Sequence, residues 1–399
     1  MNLIFFYVSD QPKQGPAQHD ILTTKATNKF AINIQSDGVF ILLDLLSATG
    51  VVDHTYCIID SKKGNGTLRP TTSTTIHCVP NIEWAYNNLI KSNDILFFRG
   101  GFRAWLPLLN ELKNWPNWKL YYRANTSHGH WPYWDIILDD LLQQDKYNDH
   151  LATCQEALDL RLHDIKRFIY PYRKPVNEYI FKPIIPAAHK YDIMLGASHI
   201  HTKKGQHISL QACNALAAKN ETFRNLKYIM PGAQIRCGTN KIIDQSWPIW
   251  LYKPGFKKRP CLAKLMNNSK LFIHAGPGGQ NDRSVLEALA CGIPVMIKDP
   301  TRYSPWVQEN EFVTVCNSHY ILDWEAAIER AWAKIPVDWN EFNEYRSRLV
   351  KWYWSVNGLW EVALTRMNHL INSLKDIKHG DFKTVLENLE GMQNEDGMG

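Results

Sequence analysis

The sequence predicts an α/β protein made of two Rossmann-like, doubly wound domains with a cleft between them. Three observations carry this. Short apolar runs alternate with stretches of helical periodicity, the pattern of parallel strands buried on both faces. The chain has 399 residues, and at roughly 150–200 residues per domain that length implies two cores. Pro171, Pro175, Pro183 and Pro186 fall between two such α/β patterns and mark the junction.

The elements follow in order. Leu3 to Val8 is apolar, short and without a basic flank, so it reads as a first buried strand rather than a signal peptide. After a polar loop, Ser36-Asp37 offers an N-cap for a helix from Gly38 to Thr49, which Gly50 stops. Strands are expected at Tyr56–Ile59, at Asp94–Phe98 (ending in Arg99-Gly100-Gly101) and at Trp118–Tyr122. The second half restarts with a strand at Tyr191–Leu195. Others follow at Tyr228–Met230, Ile249–Tyr252, Leu271–Ile273 and Pro294–Ile297. Helix is expected from Trp324 to Trp332 and from about Glu341 to Leu374, with a polar, frayed end. The expected organisation is one α/β domain over 1–172, a linker over 173–186, a second α/β domain over 187–340, and a helical segment over 341–399.

Composition narrows the function classes. Hydrophobic residues make up 45% and charged residues 21%, which is globular and excludes a largely disordered chain. The net charge of +6 suits an anionic ligand without demanding nucleic acid. Lys257-Lys258-Arg259 is the one tight basic cluster. No run approaches the ~18 apolar residues of a membrane span. The eight cysteines are scattered without a CxxC, so neither a zinc site nor a disulfide framework is signalled. A reduced, cytoplasmic setting is expected.

The chemistry concentrates after the strand that ends at His274. Gly276, Gly278 and Gly279 form a loop that leads into a helix, with Gln280 following and Asn281 or Asp282 as its cap. Glycines let a backbone approach a ligand closely, and a helix N-terminus favours a phosphate. Glu287 lies in the second turn, four residues after Arg283. It is either a carboxylate for ribose hydroxyls or a solvated helix residue. Lys203-Lys204-Gly205, just after the strand at 191–195, offers cations for a diphosphate or a solvated pair.

Glu287-Ala-Leu-Ala-Cys-Gly-Ile-Pro-Val295 resembles the signature of the GT-B glycosyltransferases of the family 4 (group 1) type. The segment from Tyr170 to Pro183, with its closing Phe-Lys-Pro, and Lys204-Gly205 are also similar to that family. The resemblance implies a GT-B fold and transfer of a sugar from a nucleotide-sugar donor to a glycan or other hydroxyl acceptor, with 1–172 as the acceptor domain, 187–340 as the nucleotide-sugar domain and 341–399 as closing helices that pack back on the first domain. It further implies retained anomeric configuration, no metal and no cofactor beyond the donor. Glu287 is implied for the ribose and Lys204 for the diphosphate, with the loop from Gly276 to Arg283 around the donor. Gly279 stands where the family carries its first Glu. A family His beside the donor sugar is matched best by His128, then by His130. Arg99, Arg103, Asn125 and Trp131 close the acceptor side of the first domain. The alternatives are a nucleotide-sugar epimerase or a DNA-modifying glycosyltransferase on the same fold, and a non-catalytic sugar- or nucleotide-binding protein.

Overall fold

The computed structural model describes residues 2–7, 43, 46–60, 66–68, 74–79, 82–99, 112, 114–122, 150–153, 168–169, 176–184, 190–196, 199–200, 205–234, 249–255, 257, 259–276, 283–298, 307–357, 360–377 and 384. The chain divides into two compact units. One comprises Met1–Pro175 with Glu361–Gly399, the other Val176–Trp360.

The first unit contains β1 (Leu3–Tyr7), β2 (Thr55–Asp60), β3 (Gly66–Leu68), β4 (Thr74–Val79), α1 (Ile82–Asn88), β5 (Ile95–Arg99), β6 (Lys119–Tyr122), β7 (His150–Thr153) and β8 (Phe168–Ile169). Among the described residues its sheet runs β3-β4-β2-β1-β5-β6-β7-β8. Every pairing is parallel except β3 against β4. Leu3 to Phe6 and Ile95 to Phe98 are buried without interruption, as central strands covered on both faces must be. Phe6 stacks on Phe98 with ring centroids 4.9 Å apart. The buried Asp94 joins the amino ends of these strands, accepting from the Asn2 and Lys91 amides at 2.8 and 2.9 Å. The strands expected at 3–8, 56–59, 94–98 and 118–122 are present with ends shifted by at most one residue.

The second unit contains β9 (Tyr191–Leu195), β10 (His199–Ile200), α2 (Gln206–Lys219), α3 (Glu221–Asn225), β11 (Lys227–Ile229), β12 (Ala233–Gln234), β13 (Trp250–Tyr252), α4 (Arg259–Asn267), β14 (Ser269–His274), α5 (Arg283–Ala290), β15 (Val295–Ile297), β16 (Val313–Val315), α6 (Ile321–Ala333) and α7 (Trp339–Asn357). Its main sheet runs β13-β11-β9-β14-β15-β16, all parallel. Counted from β9, that is the strand order 3-2-1-4-5-6 of a dinucleotide-binding sheet, with the switch point between β9 and β14.

Two ends of the sequence-based organisation look different in three dimensions. The described part of the expected linker, 176–184, is anchored in the second unit's core, where Val176 and Phe181 are buried. The Ile184 amide donates to Asn267 Oδ1 at 2.7 Å, and Asn267 Nδ2 donates to the Lys182 carbonyl. The helical stretch from 341 is two helices, α7 and α8 (Trp360–Asp376). Residues 358 and 359, between the two, lie outside the described residues. α7 belongs to the second unit, where Phe342, Tyr345, Leu349 and Tyr353 enter the core and Trp352 and Trp354 pack against it. Nearly all of α8 belongs to the first unit; its Met367, Leu370, Ile371 and Leu374 are buried, and Lys375 donates to the Val51 carbonyl.

Candidate functional site

The site is built where the second sheet changes winding direction. Gly196, just past β9, donates to the Ile273 carbonyl at 3.0 Å. A methyl group at Gly196 would lie 2.0 Å from the Phe272 ring, so only glycine fits there. Gly205 heads α2 in a left-handed conformation, φ 69°. A Cβ at Gly205 would sit 2.1 Å from the Ala275 carbonyl oxygen and 2.5 Å from the Gly276 nitrogen. The backbones that leave β9 and β14 therefore touch at the switch point. α2 begins there with no side-chain cap and no acidic residue in its first turn, so its amino end keeps its positive field for an anion.

Across the same loop, α5 carries the acid. Ser284 through Ala290 are all buried. The helix closes in a Schellman motif, with the Gly292 amide on Leu289 O at 2.9 Å, the Ile293 amide on Ala288 O at 3.0 Å, and Gly292 at φ 75°. Glu287 is only 4% exposed, and its Oε1 accepts from Arg259 Nη1 at 3.1 Å. The reading of Glu287 as a solvated helix residue is thereby excluded. Arg259 is the first residue of α4, and its guanidinium lies 6.0 Å from the centre of the Phe181 ring. The pair fixes the carboxylate's orientation and compensates its charge inside the unit.

Further polar groups close the carboxyl ends of β14 and β15. His274 is 1% exposed and Lys298 6% exposed. The Lys298 amide donates to the His274 carbonyl at 3.3 Å, and Lys298 Nζ lies 2.9 Å from His319 Nδ1. Burial, and then the Lys298 charge, push the His207 imidazole below its ordinary value. Sequence reasoning missed Arg259, His274, Lys298, His207 and His319 as a group. Two of them were signalled, since Leu271-Phe-Ile ends in His274 and Pro294-Val-Met-Ile ends in Lys298, each a polar residue terminating an apolar strand.

Of the residues singled out by sequence, Gly276, Arg283 and Glu287 lie within the described part of the second unit. Arg99 ends β5, opposite Tyr7 of β1, which is the switch point of the first sheet. Lys204, Gly278, Gly279, Gln280, Asn281, Asp282, Arg103, Asn125, His128, His130 and Trp131 lie outside the described residues.

The fold has close counterparts among solved structures. TarM from S. aureus aligns at a TM-score of 0.56 with 16% identity, over 73% of this chain and 57% of TarM. The chain thus spans under three-fifths of that protein's length. A glycosyltransferase from Rickettsia africae aligns at 0.61 with 12% identity, over 94% of this chain and 99% of its own. HepE from Anabaena, in complex with UDP and glucose, aligns at 0.60 with 12% identity, over 94% and 100%. No protein-family model matches the chain. No curated protein matches it by sequence. Among the described residues, no helix is long and apolar enough to cross a membrane.

Proposed function

We propose that this chain, which has the GT-B fold with a Rossmann-like sheet in each of its two units, is a glycosyltransferase that moves a sugar from a nucleotide-sugar donor to a glycan or other hydroxyl acceptor. The configuration is retained, no metal takes part, and the reaction is cytoplasmic. The observation that carries the reading is the contact of the two backbone turns at the β9/β14 switch point, with the buried Glu287 on the helix that follows paired to Arg259 of α4. A nucleoside diphosphate suits such a crevice, because the amino end of α2 favours its charge and the glycine turns admit it closely. Glu287 accepts from the ribose hydroxyls. Lys204 and the amides from Gly278 to Asn281 hold the diphosphate. His128 or His130 stands by the donor sugar, with Arg99, Arg103, Asn125 and Trp131 on the acceptor side. The acceptor oxygen bonds to the anomeric carbon on the face from which the diphosphate leaves, and its proton passes to the departing diphosphate. Free thiols at Cys213, Cys261, Cys291 and Cys316 accord with a reducing compartment. Two neighbours are recorded with UDP, HepE with glucose and a TarM variant with fondaparinux and α-GlcNAc-glycerol.

The test begins with a thermal-shift series of nucleoside diphosphates. A ligand at 100 times its dissociation constant should stabilise the protein by about 2.7 kcal/mol. The stabilising nucleotide is then supplied as its sugar conjugates, with and without glycan acceptors and with excess chelator. Acceptor-dependent release of nucleoside diphosphate that survives chelation is expected. Binding without release would make this a binding protein, and activity restored only by magnesium or manganese would sink the metal-free step.

A further inference from the structure

A second surface of the same unit has chemistry that the transfer site does not use. Among the described residues, β13 is an edge strand of the second sheet. Its Trp250 and Tyr252, two residues apart and so on one face, are 54% and 43% exposed. Tyr191, the first residue of β9, brings its ring to both of them. The centroids are 6.2 Å from Trp250, 6.0 Å from Tyr252, and 6.4 Å between Trp250 and Tyr252. The planes are within 10–19° of parallel. Three parallel rings in a column would have one separation twice the others. The nearly equilateral triangle excludes a column and makes the three near-parallel rings one compact cluster. Scattered exposed aromatics need no explanation, but a contiguous cluster of them does.

The charge around the patch has one sign in excess. Lys190 and Lys253 flank Tyr191 and Tyr252 in sequence, and Lys227 is registered directly against Trp250. All three are exposed. The adjacent acid, Asp192, accepts from the Lys227 backbone amide at 2.8 Å. Tyr191 opens β9, about 13 Å along the strand from its crevice end, and Tyr252, level with Met194 through Ile229, lies two strands to the side of β9.

We propose that Tyr191, Trp250 and Tyr252 form a docking platform for an anionic glycan, separate from the transfer site. A pyranose presents a flat C–H face with hydroxyls at its rim. A cluster of near-parallel rings offers that face an apolar cover, while the phenol hydroxyls and lysines meet the rim. Uronate or sulfate groups on the glycan supply charges for the lysines. The choice of a glycan rests on the glycosyltransferase reading. The platform holds the acceptor polymer on the unit that binds the donor and raises its effective concentration at the crevice.

The test titrates the full-length protein into fluorescein-labelled oligomers of alginate, dextran and thymidylate of similar length, read by anisotropy. Alginate oligomers should bind, with a dissociation constant that rises with salt. In a Trp250→Ala/Tyr252→Ala variant it should rise at least about tenfold, and it should rise again on Lys227→Glu. Both rings are exposed, so the double variant should keep the parent's thermal midpoint and its nucleoside-diphosphate shift. Tighter binding of thymidylate, equal binding of dextran, or alginate binding unaffected by the aromatic variant each overturns the proposal. A protein that binds alginate through these rings but shows no nucleoside-diphosphate shift keeps the platform and loses the transferase reading.

Discussion

Glu287 joins a buried carboxylate to a guanidinium 28 positions away in sequence. Glu287→Gln preserves the shape and removes the charge. It should weaken the nucleotide-sugar complex by on the order of 2–4 kcal/mol while leaving a folded protein, measured by isothermal titration. Unchanged affinity would remove the ribose role. The acid was legible because a glycine loop followed by an apolar helix places a carboxylate in the second turn. Its partner was not, because Arg259 reads in sequence as the last member of a basic cluster, and only the packing of α4 against α5 brings it round. His207 gives a second prediction at this scale. Its folded value lies below the ordinary 6.5, so the unfolded chain takes up the proton first as pH falls. The stability this group contributes is complete above about pH 6.5 and is lost as pH drops through the lowered value. Thermal midpoints of the parent should therefore fall more steeply below that pH than those of His207→Gln, and parallel curves would rule the effect out.

At the scale of elements, the turn into α2 can be separated from an ordinary glycine turn. Gly205 and Gly255 both have positive φ, at 69° and 75°. A methyl group at Gly255 meets nothing within 4 Å, whereas at Gly205 it meets the backbone at Ala275. Gly255→Ala should cost about 1–2 kcal/mol, the left-handed penalty alone. Gly205→Ala adds overpacking against a backbone and should cost about 2–5 kcal/mol. Denaturant midpoints of the two variants check this, and equal losses would deny the contact between the β9 and β14 turns. The buried parallel strands were legible, with ends shifted by a residue or two, because uninterrupted apolar runs have few other interpretations. β4 was not, since Thr74-Thr75-Ile76-His77 lacks such a run, and β16 is three residues long. The break between α7 and α8 was passed over because apolar periodicity continues on both sides of Asn357-Gly358.

For the whole molecule, the boundary of the second unit makes a prediction about truncation. Arg346 of α7 is fully buried, and its burial lowers its guanidinium to about 10. It donates to the Ile184 carbonyl at 3.1 Å and to Asn267 Oδ1 and the Cys291 carbonyl at 2.7 Å each. It thus ties the entry segment to the ends of α4 and α5. Phe342, Tyr345, Leu349 and Tyr353 line the same face of α7, each worth about 1.5–3 kcal/mol when buried. A fragment spanning 176–360 should unfold cooperatively on its own. One that stops at 340, the end expected from sequence, should not fold, and a cooperative transition in the shorter fragment would place the boundary wrongly.

The discontinuous first unit has a consequence for the order in which the protein is made. Met1–Pro175 leaves the ribosome first, but the unit also includes Glu361–Gly399, where α8 buries Met367 and Ile371. At about 5–20 residues per second, the roughly 185 intervening residues take on the order of 10–40 s to translate. During that time the second unit can complete itself, while the first awaits the helix that finishes it. The nascent chain therefore acquires a finished downstream unit before its upstream one. Any chaperone that attends synthesis would find its binding surface on the part of the first unit that α8 will later cover.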